Sequence, residues 1–279
     1  MKLSIITINK NNATGFEKTI QSVISQTNKD FEYIVIDGSS TDGSAEIIKK
    51  YSYGINYWIS EPDTGIYNAM NKGIRKAQGE YCLFLNSGDY LVSSATLQEV
   101  LIEINNIPPA DIFYSNMITT NGTVVNYPAP LTINHFLNGT ISHQNSLIKR
   151  SLFLEHGLYN EELYIASDWE YFLKEYWIYK SKFSHINTNI SVFDTNGIGS
   201  RYSLERFNEN LTIFRNVFQE LSEPIIDSYI YHRSIYFNIV KEYGETKLLN
   251  FLLRLYRFII SKTNKISSLF KKKNKGQHK

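Results

Sequence analysis

The segment Ser60–Asp89, SEPDTGIYNAMNKGIRKAQGEYCLFLNSGD, narrows the chain to a small set of folds. A loop acid, Asp63, stands ahead of a helical pattern. That pattern leads into the apolar strand Tyr81–Leu85, which stops at Asn86-Ser87-Gly88-Asp89. A buried strand ending at an exposed acid, just past a glycine, is how an α/β protein offers a metal or phosphate ligand at its sheet edge.

The flanking sequence repeats this rhythm. Lys2–Ile8 and Phe31–Asp37 read as apolar, β-branched strands, and Tyr57–Ile59 as a short third one. Between them, Phe16–Gln26 carries apolar residues at helical spacing, and Ser44–Tyr51 is a helix that Asp42 is placed to cap. Thr64–Ala77 is a helix with Ile66, Met70, Ile74 and Ala77 on one face, and Gly79 suits its C-terminal stop. Residues 94–105 are a further predicted helix and Asp111–Ser115 a further strand. Alternation of this kind predicts an α/β fold with a mainly parallel sheet and right-handed crossovers. Later the pattern is mixed. Gly122–Tyr127 reads as an edge strand, and Ser151–His156, Asp168–Tyr179 and Leu204–Leu221 as helices.

Charge is unevenly spread. Residues 261–279 hold seven Lys and no acid, leaving 22 basic against 27 acidic residues before them, a net of −5. A mildly acidic body argues against nucleic acid as a partner. Cys82 is the only cysteine, so disulfide frameworks and cysteine-rich zinc sites are excluded; in its apolar strand it reads as a small core residue. Aromatics make up 14% of the chain, mostly as expected core filling. The N-terminal run lacks a cleavage site for a signal peptide, and no stretch of about twenty apolar residues reads as a transmembrane helix. A cytoplasmic protein is expected.

The tail adds a membrane expectation. In Thr246–Ser261 the polar residues Lys247, Asn250, Arg254, Arg257 and Ser261 form one stripe on an otherwise apolar helix, and Lys271-Lys272-Lys273 follow. This is the pattern of a helix lying on an anionic membrane surface, peripheral on the inner face of the plasma membrane. A helix packed on the domain is the alternative.

The polar residues that end the strands are the candidate site. Asp37, before Gly38-Ser39-Ser40, can accept hydrogen bonds from a base or ribose while nearby amides meet polar ligand groups; a turn-forming Asx motif is the alternative. Asp63 is either a helix cap or a carboxylate beside a nucleotide. Asn86-Ser87-Gly88-Asp89 is either a type I turn or a set of oxygens for Mg²⁺ or Mn²⁺, with Asp89 as the metal-binding acid. Asp168, in Ser167-Asp168-Trp169-Glu170, is placed as a general base or as a helix cap. His143-Gln144 falls in a polar break that can line a pocket, and the loop Asp194–Arg201 can fold over a ligand with Arg201 near phosphate.

In order, SIITINKN, YIVIDGSSTDGS, the Ser60–Asp89 segment and ASDWEYFLK resemble the family 2 glycosyltransferases over roughly residues 1–200, most closely those that build bacterial cell-surface polysaccharides. The resemblance implies a GT-A fold, Rossmann-like with helices on both faces of the sheet, over residues 1–220: a nucleotide-binding half at 1–115 and an acceptor half at 116–220. A helical extension follows at 221–279. It implies a nucleotide-sugar donor, UDP-linked, at Thr7, Asn9, Asp37 and Asp63, a metal and diphosphate at Asp89, and Asp168 as the base. Ser39, Asn86, Ser87, Gly88, His143 and Arg201 complete the donor site. Two positions depart from the family pattern. Asn86 stands where the acidic metal motif usually begins with Asp, and Asn68 stands where relatives often carry Asp.

The expected reaction is a single inverting displacement onto a hydroxyl of a glycan or lipid-linked acceptor. A nucleotide-dependent oxidoreductase is disfavoured because NKNNATG, not G-x-G-x-x-G, follows the first strand. A nucleotidyltransferase that makes a nucleotide sugar lacks its usual basic, glycine-rich loop at residues 9–15. A non-catalytic scaffold of the same fold is the remaining alternative.

Overall fold

The computed structural model describes residues 3–197, 204–219, 227–231 and 234. Arg201 and the amphipathic tail lie outside the described residues. The chain divides into two units, Met1–Ile213 and Phe214–Lys279, and the site below belongs to the first.

The first half runs β1 (Leu3–Asn9), α1 (Ala13–Ile24), β2 (Phe31–Asp37), α2 (Ser44–Tyr51), β3 (Tyr57–Ser60), α3 (Ile66–Lys76) and β4 (Tyr81–Phe84). Then come β5 (Tyr90–Leu91), α4 (Thr96–Asn105), β6 (Ile112–Tyr114), β7 (Met117–Thr119), β8 (Val124–Val125) and α5 (Ile133–Asn138). The described part closes with β9 (Ser146–Lys149), α6 (Arg150–Glu155), α7 (Ser167–Trp177), β10 (Phe183–His185), β11 (Ser191–Phe193) and α8 (Leu204–Val217).

Seven strands form the central sheet in the order β10-β6-β9-β4-β1-β2-β3. Strands β4, β1, β2 and β3 are mutually parallel, as the alternation predicts, and β10 is parallel to β6. Strand β9 is inserted antiparallel between β4 and β6. The second sheet, β5-β11-β7-β8, is short, and the expected edge strand at 122–127 is its outer member β8.

Both faces of the central sheet are covered, which explains the continuous apolar runs of β1, β2 and β4. Ile5, Tyr33, Val35 and Leu83 pack with Phe16, Ile20 and Val23 of α1, Ile48 of α2, and Leu97 and Val100 of α4. On the other face Ile6 abuts Gly73 of α3, and Phe84 meets Phe153 of α6 edge-on at 6.1 Å. Many of the aromatics sit here, in a pile of Tyr67, Phe84, Phe153, Tyr159 and Tyr171. Cys82 is fully buried, and burial pushes its thiol up to about 12.

Three capping expectations are corrected. Gly43, with φ +95°, is the N-cap of α2, and Asp42 supports that helix from one residue further out. Gly65, not Asp63, precedes α3. Gly79 does not stop α3, whose last cap is Ala77; it is a close crossing, where an added Cβ would lie 2.5 Å from the Ser4 nitrogen of β1.

Candidate active site

The site lies along the edge where the parallel strands end. Asn9, at the end of β1, and Asp37, at the end of β2, are register partners. Asn9 Nδ2 and Ser40 Oγ donate to Asp37 Oδ1 at 2.8 and 2.6 Å. The Ser40 N–H and Ser60 Oγ, from the end of β3, donate to Oδ2 at 2.9 and 2.6 Å. Burial alone would raise the Asp37 pKa, but the hydrogen bonds from Ser40, Ser60 and Asn9 outweigh it and hold it below the ordinary value. The Asx turn is present, and the Asp37 carboxylate is fully buried with both its oxygens occupied by these donors. Ser39 projects outward from this turn with φ +58°. Asn9 Oδ1 is buried without a hydrogen-bond partner. Thr7 lies deeper, fully buried, and accepts from Tyr33 Oη at 3.0 Å.

Asp63 reaches the same loop. Its Oδ2 lies 2.8 Å from where a Cβ on Gly38 would stand, so a side chain there would displace the Asp63 carboxylate. Its Oδ1 pairs with Lys72 of α3 at 2.7 Å, and Lys72 also holds Glu61 at 2.8 Å. Asn68 accepts from the Thr64 N–H at 3.5 Å and donates to Glu161 at 2.7 Å.

The segment after β4 is a turn, with the Asp89 N–H on Asn86 O at 2.9 Å and Gly88 at φ +109°. A positive φ at the third position makes it a type II turn, not the type I turn offered as the alternative to a metal site. Thr19 of α1 fixes the turn, accepting from the Gly88 N–H at 3.0 Å and donating to Asp89 O at 2.6 Å. Asn12 caps α1 through Gly15 and donates to Ser87 O at 3.0 Å.

Asp89 is buried, 3% exposed, not surface-exposed as the strand-edge reading has it. The reason is the loop after β11. The Asp194 N–H donates to Asp89 Oδ1 at 2.8 Å, and the Asp194 carboxylate lies against Gly88. Burial raises the Asp89 carboxyl to about 6, against the hydrogen bond from the Asp194 amide.

Asp168, on the first turn of α7, is the second acid. Its Oδ1 accepts from Tyr67 Oη at 3.1 Å and from the Trp169 N–H at 2.9 Å. Its Oδ2 meets His143 Nδ1 at 3.1 Å. Burial pushes this group up, but the His143 hydrogen bond, the Trp169 amide and the Arg206 charge hold it below the ordinary value. His143 Nε2 lies 3.2 Å from Asn86 Nδ2. His143 therefore ties Asp168 to the turn whose last residue is Asp89. Two carboxylates whose environments push their pKa values apart are suited to different tasks.

The structure thus joins Asp37, Asn9, Asp63 and Gly38 in one group, and Asn86, Asp89, His143 and Asp168 in another. Asn12 and Thr19 tie the Asn86–Asp89 turn to the helix that follows β1. Tyr67 and Lys72 are participants that pattern reading did not assign, whereas Asp194 carried a visible signal by opening a glycine loop.

Among the described residues no three His, Cys, Asp or Glu side chains form a metal cluster. The donor chemistry still fits a hard divalent ion, which takes one or two carboxylates and fills its sphere with phosphate and water. Asp89 supplies one carboxylate. At the same strand end Asn86 Oδ1 is buried with no hydrogen-bond partner, a site where an oxygen donor is held in readiness.

A mixed sheet whose parallel strand ends carry these acids is the architecture of a GT-A glycosyltransferase. Residues 4–165 match the family model described as glycosyl transferase family 2. The chain belongs to that family and is a glycosyltransferase. It is 32% identical over 203 residues to an uncharacterised glycosyltransferase of Mycobacterium tuberculosis, covering 71% of this chain and 77% of that one. The fold matches S. aureus TarS 1–349 in complex with UDP-GlcNAc, with a TM-score of 0.66, 22% identity, and 82% and 70% of the two chains covered. It also matches a mannosyltransferase of Pyrobaculum calidifontis in complex with GDP-Man and Mn2+, with a TM-score of 0.61, 14% identity, and 92% and 80% covered.

Proposed function

We propose that the chain transfers a sugar from a nucleoside diphosphate, UDP-linked, to a hydroxyl of a glycan or lipid-linked acceptor, with inversion, in the synthesis of bacterial cell-surface polysaccharide. The observation that carries this reading is that His143 joins Asp168, at 3.1 Å, to Asn86, at 3.2 Å, and so to the turn that ends in Asp89. The two structural neighbours with nucleotide sugars bound support the donor class.

The residues divide the work. The Asn9–Asp37–Ser40–Ser60 cluster shapes the wall for the nucleoside, and Asp63 borders it at Gly38. Asp89 would hold Mg²⁺ or Mn²⁺, which when bound neutralises the diphosphate as it departs. Asp168 takes the proton from the acceptor hydroxyl. Its Oδ1 already accepts two hydrogen bonds and its Oδ2 one, so the free lone pair of Oδ2 is the basic site. The acceptor oxygen attacks the anomeric carbon as the bond to the diphosphate breaks, and one displacement inverts the centre.

We place the division of labour at residues 1–115 for the donor and 116–220 for the acceptor. No helix among the described residues is long and apolar enough to cross a membrane. The basic amphipathic sequence 246–275 supports peripheral attachment to an anionic surface, which suits a lipid-linked acceptor. The test is turnover of a nucleotide-sugar panel with and without Mn2+, by wild type and Asp89→Ala. Cation-dependent release of nucleoside diphosphate, lost in the variant, is expected. Formation of a nucleotide sugar, or no turnover of any donor, would replace the reading with the nucleotidyltransferase or the scaffold.

A further inference from the structure

Position 86 holds an amide where the family pattern has an acid, and the structure gives that amide a task. The contact of His143 Nδ1 with Asp168 Oδ2, at 3.1 Å, joins a ring nitrogen to a carboxylate that only accepts, so Nδ1 carries the proton. A neutral ring then presents Nε2 as an acceptor. Asn86 Nδ2, 3.2 Å away, donates to it. An aspartate at 86 would set a second acceptor against that nitrogen. Both ring nitrogens are engaged and the His143 side chain is 11% exposed, so the imidazole has no nitrogen left for an acceptor hydroxyl.

We propose that His143 is a positioning residue for Asp168, held by Asn86 in the Nδ1–H tautomer so that the carboxylate presents the free lone pair of Oδ2 to the acceptor. The inference rests on the glycosyl-transfer reading above. It makes His143, held through the Asn86 amide N–H, part of the base, and leaves Asn86 Oδ1 without a hydrogen-bond partner beside Asp89. The remaining ionisable groups facing Asp168 are Tyr67, Tyr127, Tyr159 and Arg206. None of them bridges to position 86.

The substitutions His143→Asn and His143→Gln separate the two ring nitrogens. Asparagine returns a donor near the place of Nδ1, whereas glutamine returns one only near Nε2. In the full chain, His143→Gln is expected to lower kcat about 10–100-fold, the scale of losing an orienting partner, with the donor KM unchanged. Its acidic limb of kcat moves to higher pH, because Asp168 without its donor is easier to protonate. His143→Asn restores most of kcat and returns the limb toward wild type. Equal losses in both variants, or a raised donor KM with an unmoved limb, would overturn the proposal. A second measurement does not depend on turnover. In protein labelled with ¹⁵N-histidine, His143 should show a protonated Nδ1 and a bare Nε2, and Asn86→Asp should abolish that state. An Nε2–H tautomer in wild type overturns the proposal even if every nucleotide sugar is turned over. If none is, the glycosyl-transfer reading fails separately, and the ring tautomer is still decided.

Discussion

The backbone N–H of Asp194 donates to Asp89 Oδ1 at 2.8 Å, across 105 residues of sequence. That bond closes the loop after β11 over the proposed cation site and makes Asp89 a buried acid. It also brings the Asp194 carboxylate close enough to oppose ionisation of Asp89.

Asp89 should therefore cost stability where it serves function. Its carboxyl is raised from 3.8 to about 6, so between those values the native state binds more protons than the unfolded chain. Stability then falls as pH rises through that window and levels off above it, with a penalty of about 3 kcal/mol at neutral pH. Asp89→Asn keeps the shape and an oxygen for the Asp194 amide. It should raise Tm without cation by about 2–4 °C per kcal/mol recovered. The same variant should lose cation-dependent turnover. Thermal melts at pH 4.5 and 7.5, with and without Mn2+, check this. A gain no larger at pH 7.5 than at pH 4.5 would show that burial of the charge is not the cause.

Asp168→Asn removes the base and leaves its scaffolding. The amide oxygen can still accept from Tyr67 and the Trp169 N–H. A fall in kcat of about 10²–10⁴-fold is expected, the usual share of a general base. Nucleoside diphosphate binding, measured by calorimetry, should stay at the wild-type level. Weakened binding would place Asp168 in the donor site instead.

The difference between these two acids was only partly legible beforehand. Strand β2 and helix α2 fall at their expected boundaries because Asp37-Gly38 and Asp42-Gly43 punctuate them strongly. Strands β9 and β10, four and three residues long, were missed, since short strands paired far along the chain have no local period. That omission hid part of the site. Strand β9 runs antiparallel to β4, so its N-terminal end lies where β4 stops, and this sets His143 beside Asn86. Each acid could be found from its local motif; the residues that join them could not. The burial of Asp89 has no local signal for the same reason, because Asp194 covers it from a different sheet.

Two glycines should fail in different ways when changed to alanine. At Gly79 the new Cβ would lie 2.5 Å from the Ser4 backbone nitrogen, which cannot move without parting β1 from the start of β4. Gly79→Ala should cost about 1–3 kcal/mol or more through overpacking and lower soluble yield. At Gly88 the obstacle is Asp194 Oδ2 at 2.6 Å, together with φ +109°. A side chain can swing away, so Gly88→Ala should fold, with a strain cost of about 1–3 kcal/mol, and lose cation-dependent turnover first. Urea unfolding with parallel Mn2+ titration distinguishes them. Equal stability losses with intact turnover in Gly88→Ala would argue that the Asp194 loop is not part of the site.

Asp37 makes the opposite prediction to Asp89. Its hydrogen bonds hold its pKa below 3.8 against the raising effect of burial, so the unfolded chain binds the proton more tightly than the native state. The stabilisation is complete above the unfolded value and is lost as pH falls below it toward the folded one. Asp37→Asn offers one acceptor atom to donors that fill two in wild type, Asn9 and Ser40 on Oδ1, Ser40 and Ser60 on Oδ2. At least one buried donor is stranded, at about 1–3 kcal/mol, and the turn that carries Ser39 loosens. The variant should be less stable than wild type at pH 7, and the gap should narrow as pH falls below 4. Donor KM should rise more than kcat falls, because this cluster shapes the nucleoside wall and lies in a different group from Asp168. A stability gap constant down to pH 3 would mean that the charge of Asp37 is not what the serine hydroxyls hold in place.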